Sequence, residues 1–96
     1  MSKTKIRFGI IGCSKIANKS TIPAILNSDF AQLEMIGSRS IDTAKTFAKK
    51  FDCKKFGSYE EVIQCKDIDA VYISLPIALH EEWTIKAAKA GKDILC

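Results

Sequence analysis

The chain has 96 residues, of which 47% are hydrophobic and 27% charged, with a formal net charge of +4; this is room for one small domain and the composition of an ordinary globular protein. No apolar run nears the roughly 20 residues needed to cross a bilayer, and the basic start MSKTKIRFGII lacks a long apolar core or a cleavage site before Ser14 and Lys15, so the expectation is a cytoplasmic protein with no membrane partner. The lysines are spread over several segments, which argues against nucleic acid, and Cys13, Cys53, Cys65 and Cys96 with the single histidine His80 lack the close pairing of a metal or redox site.

Lys5 to Ile11 reads as a strand, and its near-continuous apolar character (Ile6, Phe8, Ile10, Ile11) suits burial under crossover helices on both faces. A helix is expected from about Ile16 to Asn27, with Pro23 kinking it or restarting it after Ser20 and Thr21. Ala31 to Ser38 is the second strand. The helix that follows, Asp42 to about Lys50, is supported by Ala44, Phe47, Ala48 and Phe51 at i, i+3, i+4, i+7.

Lys54 to Gly57 is a brief strand, and Ser58-Tyr59-Glu60-Glu61 has the capping-box form, in which Ser58 and Glu61 satisfy each other's free backbone donors at the start of a short helix. Ala70 to Leu75 is the clearest strand, stopped by Pro76. His80 to Ala90 then returns to helical spacing with Trp83, Ala87 and Ala90 inward, acids in the first turn, lysines toward the end and Gly91 as C-cap. Asp93 to Cys96 opens a fifth strand.

Strands alternating with helices imply right-handed crossovers and a parallel sheet. The fold expected for residues 1–96 is a doubly wound, three-layer α/β/α domain of Rossmann type, strand order 3-2-1-4-5, with its ligand at the C-terminal ends of strands one and four, where the order reverses.

The chemistry concentrates after the first strand. Gly12-Cys13-Ser14-Lys15-Ile16-Ala17 fits the dinucleotide pattern G-x-G-x-x-G/A at its first and last positions only. Gly12 suits a tight turn with positive φ, and Ala17 lets the helix lie close on the sheet. Ser14 occupies the middle position, where its Cβ takes space a glycine would leave open; its hydroxyl either donates to a phosphate or simply caps the helix.

At the end of the second strand an NAD-preferring site carries an acid for the ribose hydroxyls. This chain has Gly37-Ser38-Arg39-Ser40 instead. A guanidinium at Arg39 clamps a 2′-phosphate that a carboxylate would repel, with Ser38 as a further donor, which favours NADP while leaving NAD possible. The plain alternative is a solvated arginine at a strand end.

These residues, with Pro76-Ile77-Ala78-Leu79-His80 and Ala90-Gly91-Lys92-Asp93-Ile94-Leu95-Cys96, resemble the N-terminal domain of the Gfo/Idh/MocA oxidoreductases, and FGIIGCSKIA, GSRS, GSYEE, DAVYISLP and AGKDILC fall in the family's order over essentially the whole chain. The resemblance implies a larger two-domain enzyme that moves hydride between a nicotinamide and a sugar-type hydroxyl or carbonyl. It implies that the substrate domain, through which the family oligomerises, and the principal acid/base groups lie beyond this chain, so no catalytic residue is assigned within it.

The resemblance also places Leu75, Pro76 and His80 near the cofactor. His80 matches the family's P-x-x-x-H position; it either touches cofactor or, as we favour, orients the Leu75–Leu79 loop through backbone contacts. Ile77 stands where the family commonly has asparagine. The candidate cofactor set is therefore Gly12, Cys13, Ser14, Lys15, Ile16, Ser38, Arg39, Leu75, Pro76 and His80, with no metal ligand. Trp83, Phe47 and Tyr72 are expected in the core. The alternatives are a stand-alone, non-catalytic dinucleotide-binding or regulatory module, or a shortened reading frame that keeps the fold alone.

Overall fold

The computed structural model describes residues 5–95, apart from the side chain of Asn18. Five strands, β1 (Ile6–Ile11), β2 (Ala31–Gly37), β3 (Lys55–Gly57), β4 (Ala70–Ile73) and β5 (Asp93–Leu95), form one parallel sheet in the order β3-β2-β1-β4-β5. The crossovers are α1 (Ile22–Asn27), α2 (Ile41–Lys50), α3 (Tyr59–Gln64) and α4 (Ile77–Lys89). The doubly wound α/β fold and its strand order are as the sequence predicts; the expected end of β5 at Cys96 lies outside the described residues.

The period of two along β1 divides the core. Ile10 turns to one face, where it meets Ile36, Ile22 and Ile25 of the α1 segment and Ala48 of α2. Ile11 turns to the other, among Val71, Ile73, Val62 and Ile63 of α3 and Ala87 of α4. Ile10, Ile11, Ile36 and Val71 are wholly buried, each stabilising the fold by about 1.5–3 kcal/mol relative to exposure. A central strand apolar at consecutive positions thus requires helices on both sides.

Several boundaries differ from the sequence reading. The first helix changes character where Pro23 is expected to restart it, after Ser20 and Thr21: a π-helical turn, Ala17–Thr21, gives way to α1 at Ile22, and the proline sits in that helix's first turn. β4 ends at Ile73 instead of Leu75, although Ser74 still donates its N–H to Ile11 O at 2.8 Å.

Helix α4 begins at Ile77, three residues earlier than expected, because Pro76 stands as its N-cap and its carbonyl accepts from both Leu79 and His80. Ala90 does not face inward; it is exposed and forms the C-cap, donating to Lys86 and Ala87 carbonyls before Gly91 at φ 81°. α2 starts at Ile41 because Ser40 caps it through Thr43 N, and the capping box of Ser58 and Glu61 is present as read. Phe47 and Tyr72 pack half-buried against one core cluster and Trp83 against the other.

At the N-terminal ends of the strands, Arg7 holds Asp69 with Nε at 3.1 Å and Nη2 at 3.0 Å. Lys55 bridges Glu34 at 2.7 Å and Asp67 at 2.9 Å nearby. These paired charges tie β1, β2 and β3 to the segment leading into β4. The opposite, C-terminal ends of the strands are where the polar side chains converge without such pairing.

Candidate functional site

At that C-terminal end the chain leaves β1 through Gly12, whose φ of 105° belongs to glycine and whose N–H donates to Gly37 O at 3.1 Å. A Cβ here would overlap the Ser74 carbonyl oxygen and come within 2.9 Å of Leu75 Cδ2. The first βα turn is therefore pressed against the end of β4, and only a bare backbone fits. The helical run starts at Lys15, so Ser14 is its N-cap, and Ser14 Oγ accepts from Ala17 N–H at 3.0 Å. The same Oγ is hydrogen-bonded to Ser74 Oγ.

A second set comes from the end of β2. Ser38 is fixed by its N–H to Gly57 O at 3.0 Å, and its Oγ accepts from Ser40 N–H at 3.3 Å, so the turn carrying Arg39 is braced on both sides. Arg39 itself is exposed and reaches the mouth of a cleft of about 360 Å³. Cys13 lies under the turn, where burial pushes its thiol above the usual range and a hydrogen bond with Ser38 pulls the other way. Burial likewise raises the Tyr59 phenol, against the opposing pull of Arg39; its ring meets Trp83 edge-on at 5.2 Å.

The cleft gathers seven of the ten candidates: Gly12, Cys13, Ser14, Ser38, Arg39, Leu75 and Pro76. Three stand outside its lining. Lys15 is exposed beside a neighbouring hollow shared with Thr46 and Lys50, Ile16 is exposed, and half-buried His80 has Nδ1 at 3.3 Å from Thr84 Oγ1 while its backbone N–H donates to Pro76 O.

Five lining residues escaped the sequence reading: Ser40, Thr43, Tyr59, Ser74 and Leu79. Ser40 had a signal, since a serine just before a helix start is a favoured N-cap, whereas Thr43 had none. Tyr59 follows directly on the capping serine. Ser74 had none, because in sequence it looks like one more strand residue.

The lining is rich in hydroxyls and, among the described residues, contains one cation and no carboxylate. A pyrophosphate flanked by an adenosine phosphate fits this donor set: free amides at the start of a helix, a glycine where a Cβ would close the approach, and a guanidinium beyond the neighbouring strand. Leu75, Pro76 and Leu79 supply an apolar wall. No group of three or more His, Cys, Asp or Glu side chains able to hold a metal occurs among the described residues, nor is any helix there long and apolar enough to span a membrane.

Comparison with known proteins agrees with this geometry. Residues 6–96 match the profile of the Gfo/Idh/MocA group, described as an oxidoreductase family with an NAD-binding Rossmann fold. The chain is 44% identical over 92 residues to an uncharacterized oxidoreductase of Rhizobium meliloti, covering 95% of this chain and 28% of that protein. It is 39% identical over 90 residues to dTDP-3,4-didehydro-2,6-dideoxy-alpha-D-glucose 3-reductase of Streptomyces violaceoruber, covering 94% and 26% respectively. A 3-ketoreductase of Actinomadura kijaniata, solved with NADP and TDP-benzene, superposes with a TM-score of 0.91 at 38% identity over 96% of this chain and 28% of that one. The chain thus spans little more than a quarter of the length of these relatives.

Proposed function

Because this chain belongs to the Gfo/Idh/MocA oxidoreductases and forms their NAD(P)-binding Rossmann domain, we propose that it binds NADP in preference to NAD and serves an enzyme that oxidises or reduces a sugar-type hydroxyl or carbonyl. The preference is carried by one observation: Arg39 and the hydroxyls of Ser38, Ser40 and Thr43 stand where an NAD site needs a carboxylate, and no acid among the described residues lines the cleft. A 2′-phosphate brings close to two negative charges to that corner, and each charge-assisted hydrogen bond it gains contributes about 1.5–3 kcal/mol. The sugar-type substrate is supported by the relatives that act on a dideoxy-sugar nucleotide and by the TDP ligand of the Actinomadura enzyme.

The residues of this chain bind and orient. Gly12 and the amides after it admit the pyrophosphate, Ser14 donates to it, the Arg39 turn holds the 2′-phosphate, and Leu75, Pro76 and Leu79 keep water from the ring side. The nicotinamide, when bound, supplies or accepts the hydride. Among the described residues no carboxylate, histidine or lysine lines the cleft, and the proton that accompanies the hydride is not assigned to a group of this chain.

The test is a titration of NADPH and NADH against the chain and its Arg39→Ala variant. Loss of one charge-assisted contact weakens NADPH roughly ten-fold or more, with NADH within a factor of about two. Equal weakening of both cofactors, or of neither, refutes the assignment of Arg39.

A further inference from the structure

We propose that Ser74, at the end of β4, is a positioning residue of the dinucleotide turn: its hydroxyl donates to Ser14 and thereby aims the Ser14 proton at the pyrophosphate. The inference rests on the cofactor reading above and adds to it a residue from a different strand.

The argument is one of hydrogen counting. Ser14 Oγ already accepts from Ala17 N–H at 3.0 Å and is bonded to Ser74 Oγ. Each hydroxyl has a single hydrogen. The bond between the two consumes one hydrogen, so one remains, and both serines line the cleft. When Ser74 donates, both acceptor sites of Ser14 are filled, by Ala17 and by Ser74, and the Ser14 hydrogen has the cleft as its outlet. An oxygen that accepts two hydrogen bonds is also the stronger donor, since polarisation passes along the chain. An anion in the cleft selects this arrangement over the reverse one.

Ser74 suits the task because it does not move freely. Its N–H is held by Ile11 O at 2.8 Å and its carbonyl abuts the space where a Gly12 Cβ would be. The pair explains how this turn tolerates a side chain where a second glycine is usual. The Cβ of Ser14 narrows the approach, and the hydroxyl, steered by Ser74, returns a donor at that place.

The experiment compares NADPH with adenosine 2′-monophosphate, which engages the Arg39 corner and has no pyrophosphate, by calorimetric or fluorescence titration. Ser74→Ala is expected to weaken NADPH about five-fold, the effect of one lost hydrogen bond, to leave adenosine 2′-monophosphate unchanged, and to be rescued by Ser74→Thr. In a Ser14→Gly background, Ser74→Ala is expected to change nothing, with circular dichroism confirming that each variant is folded. Unchanged NADPH affinity in Ser74→Ala, a parallel loss for both ligands, or the same loss in the Ser14→Gly background overturns the role of Ser74 while leaving the cofactor site standing. Failure of NADPH to bind the unsubstituted chain overturns both.

Discussion

Replacing Gly12 by alanine tests how closely the first turn is pressed on β4. The backbone there has φ 105°, and the new Cβ would overlap the Ser74 carbonyl oxygen, with Ser74 C at 3.0 Å and Leu75 Cδ2 at 2.9 Å. Leaving the left-handed region to a non-glycine residue costs roughly 1–2 kcal/mol. The overlap is with backbone, so β4 or the turn must shift, which costs about a further 1–3 kcal/mol. Together these remove roughly 2–5 kcal/mol from a domain whose whole stability is of order 5–14 kcal/mol, a fall in melting temperature of at least about 8 °C.

Gly91→Ala is the internal control, since its φ is 81° but no atom of the described residues lies within 4 Å of an added Cβ. It should lose only the backbone part, about 1–2 kcal/mol. Thermal and urea unfolding followed by circular dichroism measure both. Equal losses in the two variants would falsify the claim that the turn and β4 are in contact.

Three further outcomes follow from other parts of the molecule. Asp69 is held at about 2 by its side-chain and backbone hydrogen bonds from Arg7, against an ordinary value of 3.8; this stability is fully present above the ordinary value and is lost as pH falls through the folded one. Acid unfolding between about pH 4 and 2 should therefore flatten in Asp69→Asn, and an unchanged acid limb would show that the pair contributes nothing. Ser58→Ala, which removes one half of the capping box on α3, should cost about 1 kcal/mol and Ser58→Gly only a few tenths, with chemical denaturation giving the order. Ile77 is 91% exposed, and Phe8, Tyr72 and Leu95 border an apolar hollow of about 530 Å³ beside α1. Concentration-dependent association is expected by sedimentation, and a clean monomer at high concentration contradicts it.

The fold was legible wherever one physical signal acted alone. Ile10 and Ile11 announce a strand buried on both faces, and Ser58 with Glu61 announces a helix start, because each pattern has a single structural solution. Boundaries failed where two signals competed. At Ile77 to Leu79 the residues are apolar without a polar partner to mark a period, so the start of α4 was set by Pro76, whose carbonyl takes two N–H groups. Pro23 marked the restart at Ile22, but no local signal announced the π turn of Ala17–Thr21 before it.

In the site, Gly12, Ser14, Ser38 and Arg39 were visible because their types are unusual for their places. Ser74 and Tyr59 were not, since what brings them to the cleft is the parallel pairing of β4 with β1 and the return of the chain after β3. Such placement comes from topology, which no local spacing records. His80 and Lys15 have the chemistry of site residues, but the helices that carry them turn the one toward Thr84 and the other toward α2.

The central claim is that a dinucleotide lies across the C-terminal ends of β1, β2 and β4. Amide chemical-shift mapping of the isotope-labelled chain during addition of NADPH tests it most directly. The account predicts that the perturbed amides cluster at Gly12–Ala17, Ser38–Thr43 and Ser74–Leu79, with Arg7, Asp67 and Asp69 at the far end unmoved. Shifts centred on that far end, or none at saturating NADPH, would contradict it.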